Sequence, residues 1–348
     1  MPNGCIVAAP SHMPYYPKDA KSYLYCWPGR DTGFNLAAML LLGEDHYDVF
    51  LKWLWERAED FGSSHNDQFL GLIYRSYFPN GLVREHQFQP DQGATLIWSI
   101  KFKKDLTKNP LTDLEEMVVN RIANSYARVW EDEGFTVPVE DIWEERGFMP
   151  EEGLFTYSVA ACARAMDIAS ELLDEPAFKR RSEDMKNTLK KYCYAGDFAG
   201  LPRTFGGTSR TDTTSDGSLS GLVWPFNIGF DDERLRATLE RIENDILDQY
   251  GVYRYPEDNY EGRASRHHKN QRAGPWPLLT FWLAIAWNEL GDKSRAERYF
   301  ALNFKYLEDK YIPEQFFVGH KHKWQGIKPL LWSHSMGILA AWKLGKLG

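Results

Sequence analysis

The sequence predicts an all-α fold of alternating inner and outer helices, on three observations. Apolar residues recur at spacings of three and four, Gly, Pro or Asp bounds each such segment, and segments apolar nearly all round alternate with charged amphipathic ones. The spacing places eleven helices, at 32–43, 46–61, 92–104, 111–132, 154–174, 176–194, 217–225, 231–249, 277–290, 292–308 and 328–345. Gly221–Phe226, Pro277–Leu290 and Leu330–Leu344 read as inner helices, and Asp231–Gln249 and Asp292–Glu308 as outer ones. Loops rich in Trp, Tyr, Arg, Asp and Glu at about 2–31, 62–91, 133–153, 196–216, 250–276 and 309–327 each precede an inner helix. Such loops at one end of a ring of helix pairs would build a single pocket on a rigid scaffold. A twelve-helix double barrel closes the ring, although an open helical solenoid has the same periodicity.

No Pro-, Gly- or Ser-rich linker and no shift in composition divides the 348 residues, so the expectation is one domain over 1–348. Lys plus Arg total 41 against 49 for Asp plus Glu, a net charge of −8 that disfavours nucleic acid and anionic membranes as partners. The apolar run Leu36–Leu42 is too short to span a bilayer, and Met1-Pro2-Asn3-Gly4 does not open a signal peptide. The expected location is cytoplasmic. Cys5, Cys26, Cys162 and Cys193 lack paired spacing and read as reduced thiols. His267-His268 and His320-Lys321-His322 read as loop histidines without helical i, i+4 spacing, so no metal and no other cofactor is expected. Nucleophile-elbow, P-loop and dinucleotide fingerprints are missing as well, which leaves acyl, phosphoryl and hydride transfer unsupported.

The composition is rich in aromatics, with 13 Trp, 18 Tyr and 20 Phe, many beside Pro, Gly, Arg or a carboxylate. Pyranose C–H faces stack on rings while sugar hydroxyls demand hydrogen bonds, so rings beside polar groups suit a sugar cleft. Four runs carry candidate chemistry. In Glu140-Asp141-Ile142-Trp143-Glu144-Glu145-Arg146-Gly147, carboxylates crowd an indole, which favours one protonated acid; a solvated acidic turn is the bland alternative. Tyr311-Ile312-Pro313-Glu314-Gln315-Phe316 sets one carboxylate in an aromatic loop, where it could deprotonate a water. Tyr23–Asp31 and Arg254–Tyr260 each join Arg and Asp to rings, a grip for vicinal hydroxyls or a surface ion pair. The two carboxylate runs together supply the acid and base of glycosidic cleavage.

Asn3–Ser11, Trp27–Asp31, Asp141-Ile142-Trp143-Glu144-Glu145, Arg254–Tyr260, Gly274-Pro275-Trp276 with Trp282-Leu283-Ala284, and Pro313-Glu314-Gln315 with Trp332-Ser333-His334 resemble, in the family's order, the glucoamylase family of inverting glycoside hydrolases, which includes glucodextranases and trehalase-like members. The resemblance spans nearly the whole chain, and six ordered motifs are far more specific than any one. It implies an (α/α)6 double barrel, a toroid, and single-displacement removal of a terminal glucose from α-linked glucans or oligosaccharides as the β-anomer. Carried over by motif, Glu144 is the general acid and Glu314 the general base. Arg30 and Asp31 hold terminal glucose hydroxyls with Trp27 beside them, and Arg254 and Tyr260 grip and stack the sugar. Asp141, Trp143 and Glu145 belong to the acid loop, and Trp276 and Trp332 wall the pocket.

The family's run is usually Trp-Pro-Arg-Asp, whereas Gly29 here separates Pro28 from Arg30. Glu261–Ala273, with Arg263, Arg266, His267, His268, Lys269 and Arg272, reads as an inserted basic rim loop. Eleven helices leave the first outer helix of a twelve-helix barrel unaccounted for. The expectation is apolar surface near Leu36–Leu42 and Ile338–Leu344, over which an N-terminal domain or a subunit would lie. Trehalase is the closest rival activity, because Ile142-Trp143-Glu144 followed by Phe155-Thr156-Tyr157-Ser158 also resembles trehalases. A noncatalytic carbohydrate-binding remnant would not need both glutamates, and a phosphorylase would replace the base with a phosphate cluster.

Overall fold

The computed structural model describes residues 1–10, 23–62, 71–194, 198–208, 210–258, 260, 273–307, 309–316, 324–325 and 327–347. The basic insertion, apart from Ala273, and the four loop histidines lie outside the described residues. The helices are α1 (Arg30–Leu41), α2 (Tyr47–Arg57), α3 (Pro90–Thr107), α4 (Asp113–Val129), α5 (Thr156–Leu173), α6 (Pro176–Cys193), α7 (Asp232–Ile246), α8 (Pro277–Glu289), α9 (Lys293–Lys305) and α10 (Leu331–Lys343). They coincide with ten of the eleven expected segments. The remaining one, expected at 217–225, is a short 3-10 helix, Gly217–Leu222. Two glycines and two serines in six residues weaken α-helix there, and Pro225 blocks its continuation.

Two compact units emerge: Met1–Val7 with Tyr25–Asp197 and Thr204–Asp212, and Ala8–Leu24 with Phe198–Arg203 and Thr213–Gly348. In the first, α1 packs on α3 and α3 on α5, and α3 and α5 are buried over most of their length. The amphipathic α4 and α6 pack against α5 and bury one stripe each, Val118, Val119, Ile122 and Tyr126 on α4 and Phe178, Met185 and Leu189 on α6. Sequence chemistry sets the helix starts. Thr112 and Glu115 form a reciprocal capping box on α4, and Pro90 and Pro176 occupy the first turns of α3 and α6, where a missing N–H costs nothing.

The stretch expected as loop at 62–91 holds an antiparallel hairpin, β1 (Tyr74–Tyr77) with β2 (Val83–Phe88). Its turn runs through Asn80-Gly81, with Gly81 at φ 98°, the left-handed region that glycine enters without strain. The acidic loop is likewise no plain coil: the two-residue strands Val139–Glu140 and Gly147–Phe148 pair across it.

In the second unit α8 is buried from Pro277 to Trp287 and packs against α9, α10 and the 3-10 helix, while α7 packs on the 3-10 helix. Asp231 and Asp292 cap α7 and α9 through side-chain oxygens. Within the first unit, α1 ends on half-buried Met39, Leu40 and Leu41 and on Leu42, which is 56% exposed. Within the second, Ile338, Trp342 and Leu344 are half-buried. Among the described residues no helix is long and apolar enough to cross a membrane.

Trp282 on α8 is fully buried, and its indole N–H donates to the Trp224 carbonyl at 2.6 Å. Trp282→Ala is expected to lower stability by about 3–5 kcal/mol, read from the urea midpoint, because the cavity cannot collapse within a fully packed helix.

Candidate active site

Glu144 lies at the tip of the paired strands Val139–Glu140 and Gly147–Phe148. Its φ of 63° is the left-handed region, unusual for a residue with a Cβ and stored strain of the kind that gathers at functional sites. Asp141 holds the loop in shape: its Oδ1 accepts from the N–H of Glu145 at 3.0 Å and of Arg146 at 3.2 Å. Asp141 is buried and Glu145 exposed, so Glu145 supports the loop through its backbone. Trp143 is buried beside it.

Three cationic or N–H groups converge on the Glu144 carboxylate. The Trp27 indole donates to Oε1 at 2.6 Å, Arg30 Nη2 donates to the same oxygen at 3.1 Å, and Arg75 Nε forms an ion pair with Oε2 at 3.5 Å. Arg30 also donates to the Ile142 carbonyl and, at 2.9 Å, to Asp31 Oδ1. Burial raises the Glu144 pKa above the usual carboxylate value, with Asp31 pushing the same way against the pull of Arg30 and Arg75. The side chain keeps 23% exposure, enough to meet a ligand. The extra Gly29 is accommodated where no other residue fits: a Cβ would lie 1.9 Å from the Gln92 carbonyl oxygen. Gln92 Oε1 accepts from the N–H groups of Gly29 at 2.9 Å and Arg30 at 2.8 Å, which fixes the start of α1 to that of α3.

Sequence reasoning missed Arg75, Gln92 and Asp91. Arg75 sits on β1 and grips Glu85 with two N–H groups at 2.9 and 2.6 Å and Glu140 at 2.9 Å. Burial, with Glu144 and Asp141 adding to it, pushes the Glu140 carboxyl up to about 7 despite Arg75. Asp91, in the first turn of α3, is fully buried, and neither carboxylate oxygen has a hydrogen-bond partner among the described residues. No sequence motif marked Arg75; the Asn80-Gly81 turn was the available signal that a strand precedes it.

In the second unit, Glu314 is 2% exposed. Its N–H donates to the Ile327 carbonyl at 2.8 Å, the Ile327 N–H approaches Oε2 at 3.4 Å, and the Tyr23 hydroxyl donates to Oε1. The Tyr23 and Tyr260 hydroxyls share a hydrogen bond of 2.7 Å. Burial, then the Glu314 charge, holds the Tyr23 hydroxyl well above its ordinary pKa, so it stays a donor. Flanking pins fix the loop: Gln315 Oε1 accepts from Gly274 N at 2.8 Å, and the Ile312 N–H donates to His334 Nε2 at 2.9 Å. Burial lowers the His334 pKa to about 4, which keeps that nitrogen an acceptor.

Arg254 and Asp258 form a buried two-pronged ion pair at 2.7 and 2.6 Å. The guanidinium lies over the rings of Tyr260 at 4.8 Å and Trp276 at 5.4 Å, and those rings are 6.0 Å apart. Arg254, Tyr260 and Trp276 therefore form one cluster, joined to Glu314 through Tyr23. Trp332 is buried against Trp282 at 6.4 Å in an edge-on contact, a packing position. The structure brings together Trp27, Arg30, Asp31, Asp141 and Glu144 in one unit, and Arg254, Tyr260, Trp276 and Glu314 in the other.

The family model for glycosyl hydrolases family 15 matches residues 1–306. An uncharacterized glycosyl hydrolase of Methanocaldococcus jannaschii is 29% identical over 99% of this chain and 54% of its own length. A trehalase of Mycolicibacterium smegmatis is 26% identical over 85% of this chain and 46% of its own. The chain thus spans about half the length of these relatives. A solved glycosidase variant in complex with glucose superposes with a TM-score of 0.76 at 19% identity, covering 99% of this chain and 93% of that one. That likeness carries the fold, which is the mostly helical (α/α)6 fold expected.

The Asp91 pKa rises from an ordinary 3.8 to about 7, chiefly through burial. The folded chain therefore binds more protons than the unfolded one between these values, and the Asp91 contribution to stability falls as pH rises through them. Asp91→Asn, which stays neutral, is expected to gain stability relative to the unsubstituted chain across that window and to track it below. Denaturant midpoints collected from pH 4 to 8 check this; a constant difference would contradict it.

Proposed function

We propose, from the premise that the chain belongs to glycosyl hydrolases family 15, that it is an inverting exo-hydrolase removing terminal glucose from α-linked glucans or oligosaccharides as β-glucose. The observation that carries the reading is the Glu144 carboxyl: partly exposed, raised in pKa, and aimed by the Trp27 indole and Arg30 in the segment where the family resemblance puts the general acid.

Glu144 gives its proton to the glycosidic oxygen as the bond to the anomeric carbon breaks, and the departing sugar leaves as a neutral alcohol. A water attacks the anomeric carbon from the opposite face and yields its proton to Glu314, which the Tyr23 hydroxyl and the Ile327 backbone hold in one orientation. Inversion requires the two carboxyl groups about 6.5–9.5 Å apart around sugar and water. In this reading Arg30, Asp31, Arg254 and Tyr260 contact the terminal sugar with Trp27 beside them, Trp276 lines its pocket, and Arg30 also holds the acid loop. Trp143, Glu145 and Asp141 shape that loop, and Trp332 supports the wall. The glucose-bound relative favours a glucose-sized pocket.

A trehalose-splitting activity is the second reading, favoured by the trehalase relative. Release assays on maltooligosaccharides, isomaltose and trehalose in parallel separate the two. Glu144→Gln and Glu314→Gln are each expected to cut turnover by about two orders of magnitude or more while substrate binding persists, because both act in the transition state. Proton NMR of the fresh product should show the β-anomer; the α-anomer first would overturn the mechanism, and near-normal turnover in either variant would overturn that residue's role.

A further inference from the structure

We infer that Arg75 is a positioning residue for the general acid: it holds its positive charge beside Oε2 of Glu144 and stabilises the carboxylate left when Glu144 gives up its proton. The inference rests on the reading of Glu144 as that acid. Proton donation converts a neutral carboxyl into an anion in a site already partly closed to water, and a cation set at that oxygen lowers the cost of the charge as it develops. Arg30 attends Oε1 through Nη2 at 3.1 Å, while Arg75 Nε stands 3.5 Å from Oε2, so each oxygen has its own guanidinium. The Trp27 indole on Oε1 leaves Oε2 with Arg75 as its one ion-pair partner among the described residues.

Arg75 is held for this task from three sides. Glu85 on β2 takes its Nε and Nη2 at 2.9 and 2.6 Å, Glu140 on the strand leading into the acid loop takes Nη1 at 2.9 Å, and the β1–β2 hairpin carries Arg75 and Glu85 on paired backbone. Ser76 and Arg84 in turn donate to Glu85 Oε2 at 2.7 and 2.5 Å. The charged groups facing Glu144 are therefore Arg30 and Asp31 from α1 and Arg75 from β1, with Glu140 and Asp141 at the entry to its own loop. Glu85 and Glu140 absorb part of the Arg75 charge. The guanidinium consequently steadies the ionised acid without stripping the proton from it beforehand, which matches the raised Glu144 value.

The test is carboxyl-carbon NMR of the full chain labelled at glutamate Cδ, with the Glu144 signal assigned by its loss in Glu144→Gln. In Arg75→Gln the Glu144 titration midpoint should rise by about one pH unit, and Arg75→Lys should return most of the way. Turnover on maltose should fall about three-fold or more beyond any loss on α-glucosyl fluoride, whose leaving group departs without a proton. An unmoved midpoint in a variant that keeps its urea midpoint, or equal losses on both substrates, overturns the inference. If the unsubstituted chain hydrolyses neither substrate, the functional reading fails, and the carboxyl titration still decides whether Arg75 sets the Glu144 charge.

Discussion

The guanidinium of Arg30, buried to 4% exposure, is the interaction on which the acid loop depends. A buried cation is tolerable only with partners that replace its hydration, and three are supplied: the carboxylate of Asp31, the carbonyl of Ile142 and Glu144 itself. The helix start that carries Arg30 is tied to α3 through Gln92, and the loop that carries Glu144 is tied to Arg30. Removal of the guanidinium would leave Asp31 buried and unpaired and would free the loop at once. The left-handed backbone at Glu144 persists because these contacts over-determine it.

The second unit solves a similar problem with different chemistry. Arg254 is also buried, but its charge meets Asp258 four residues on, and the rings of Tyr260 and Trp276 lie against the guanidinium. Glu314 is held by a tyrosine hydroxyl and a backbone N–H. Among the contacts described, Glu144 meets two guanidiniums, and Glu314 a hydroxyl and a backbone N–H.

Much of the fold was legible because helix signals are local. Apolar spacing located ten α-helices, three of which start on the caps Thr112, Asp231 and Asp292. The 3-10 helix at Gly217–Leu222 escaped because its apolar residues suit either helix type and only glycine and serine content tells against α. The β1–β2 hairpin was hidden because its strands are bulged and bury both faces unevenly, so no clean alternation survives. At the site, residues clustered in sequence were visible: Asp141 to Glu145, Trp27 to Asp31, Arg254 to Tyr260. Arg75 was not, since its partners lie 10 and 65 residues away and no local pattern records a contact made by folding. Tyr23 was on view within a quoted run, yet its hydrogen bond to Glu314 spans 291 residues.

Gly29 has a consequence for how substitution tolerance should be interpreted. The position is followed by a helix and preceded by a proline, so its glycine could pass for a device of the turn. The constraint comes instead from the backbone of Gln92, 63 residues later, which leaves no volume for any side chain. In a saturation library the only viable letter at this position would thus report the spacing of two helices. Second-site changes that restored other letters there would map to the first turn of α3 and not to the turn itself.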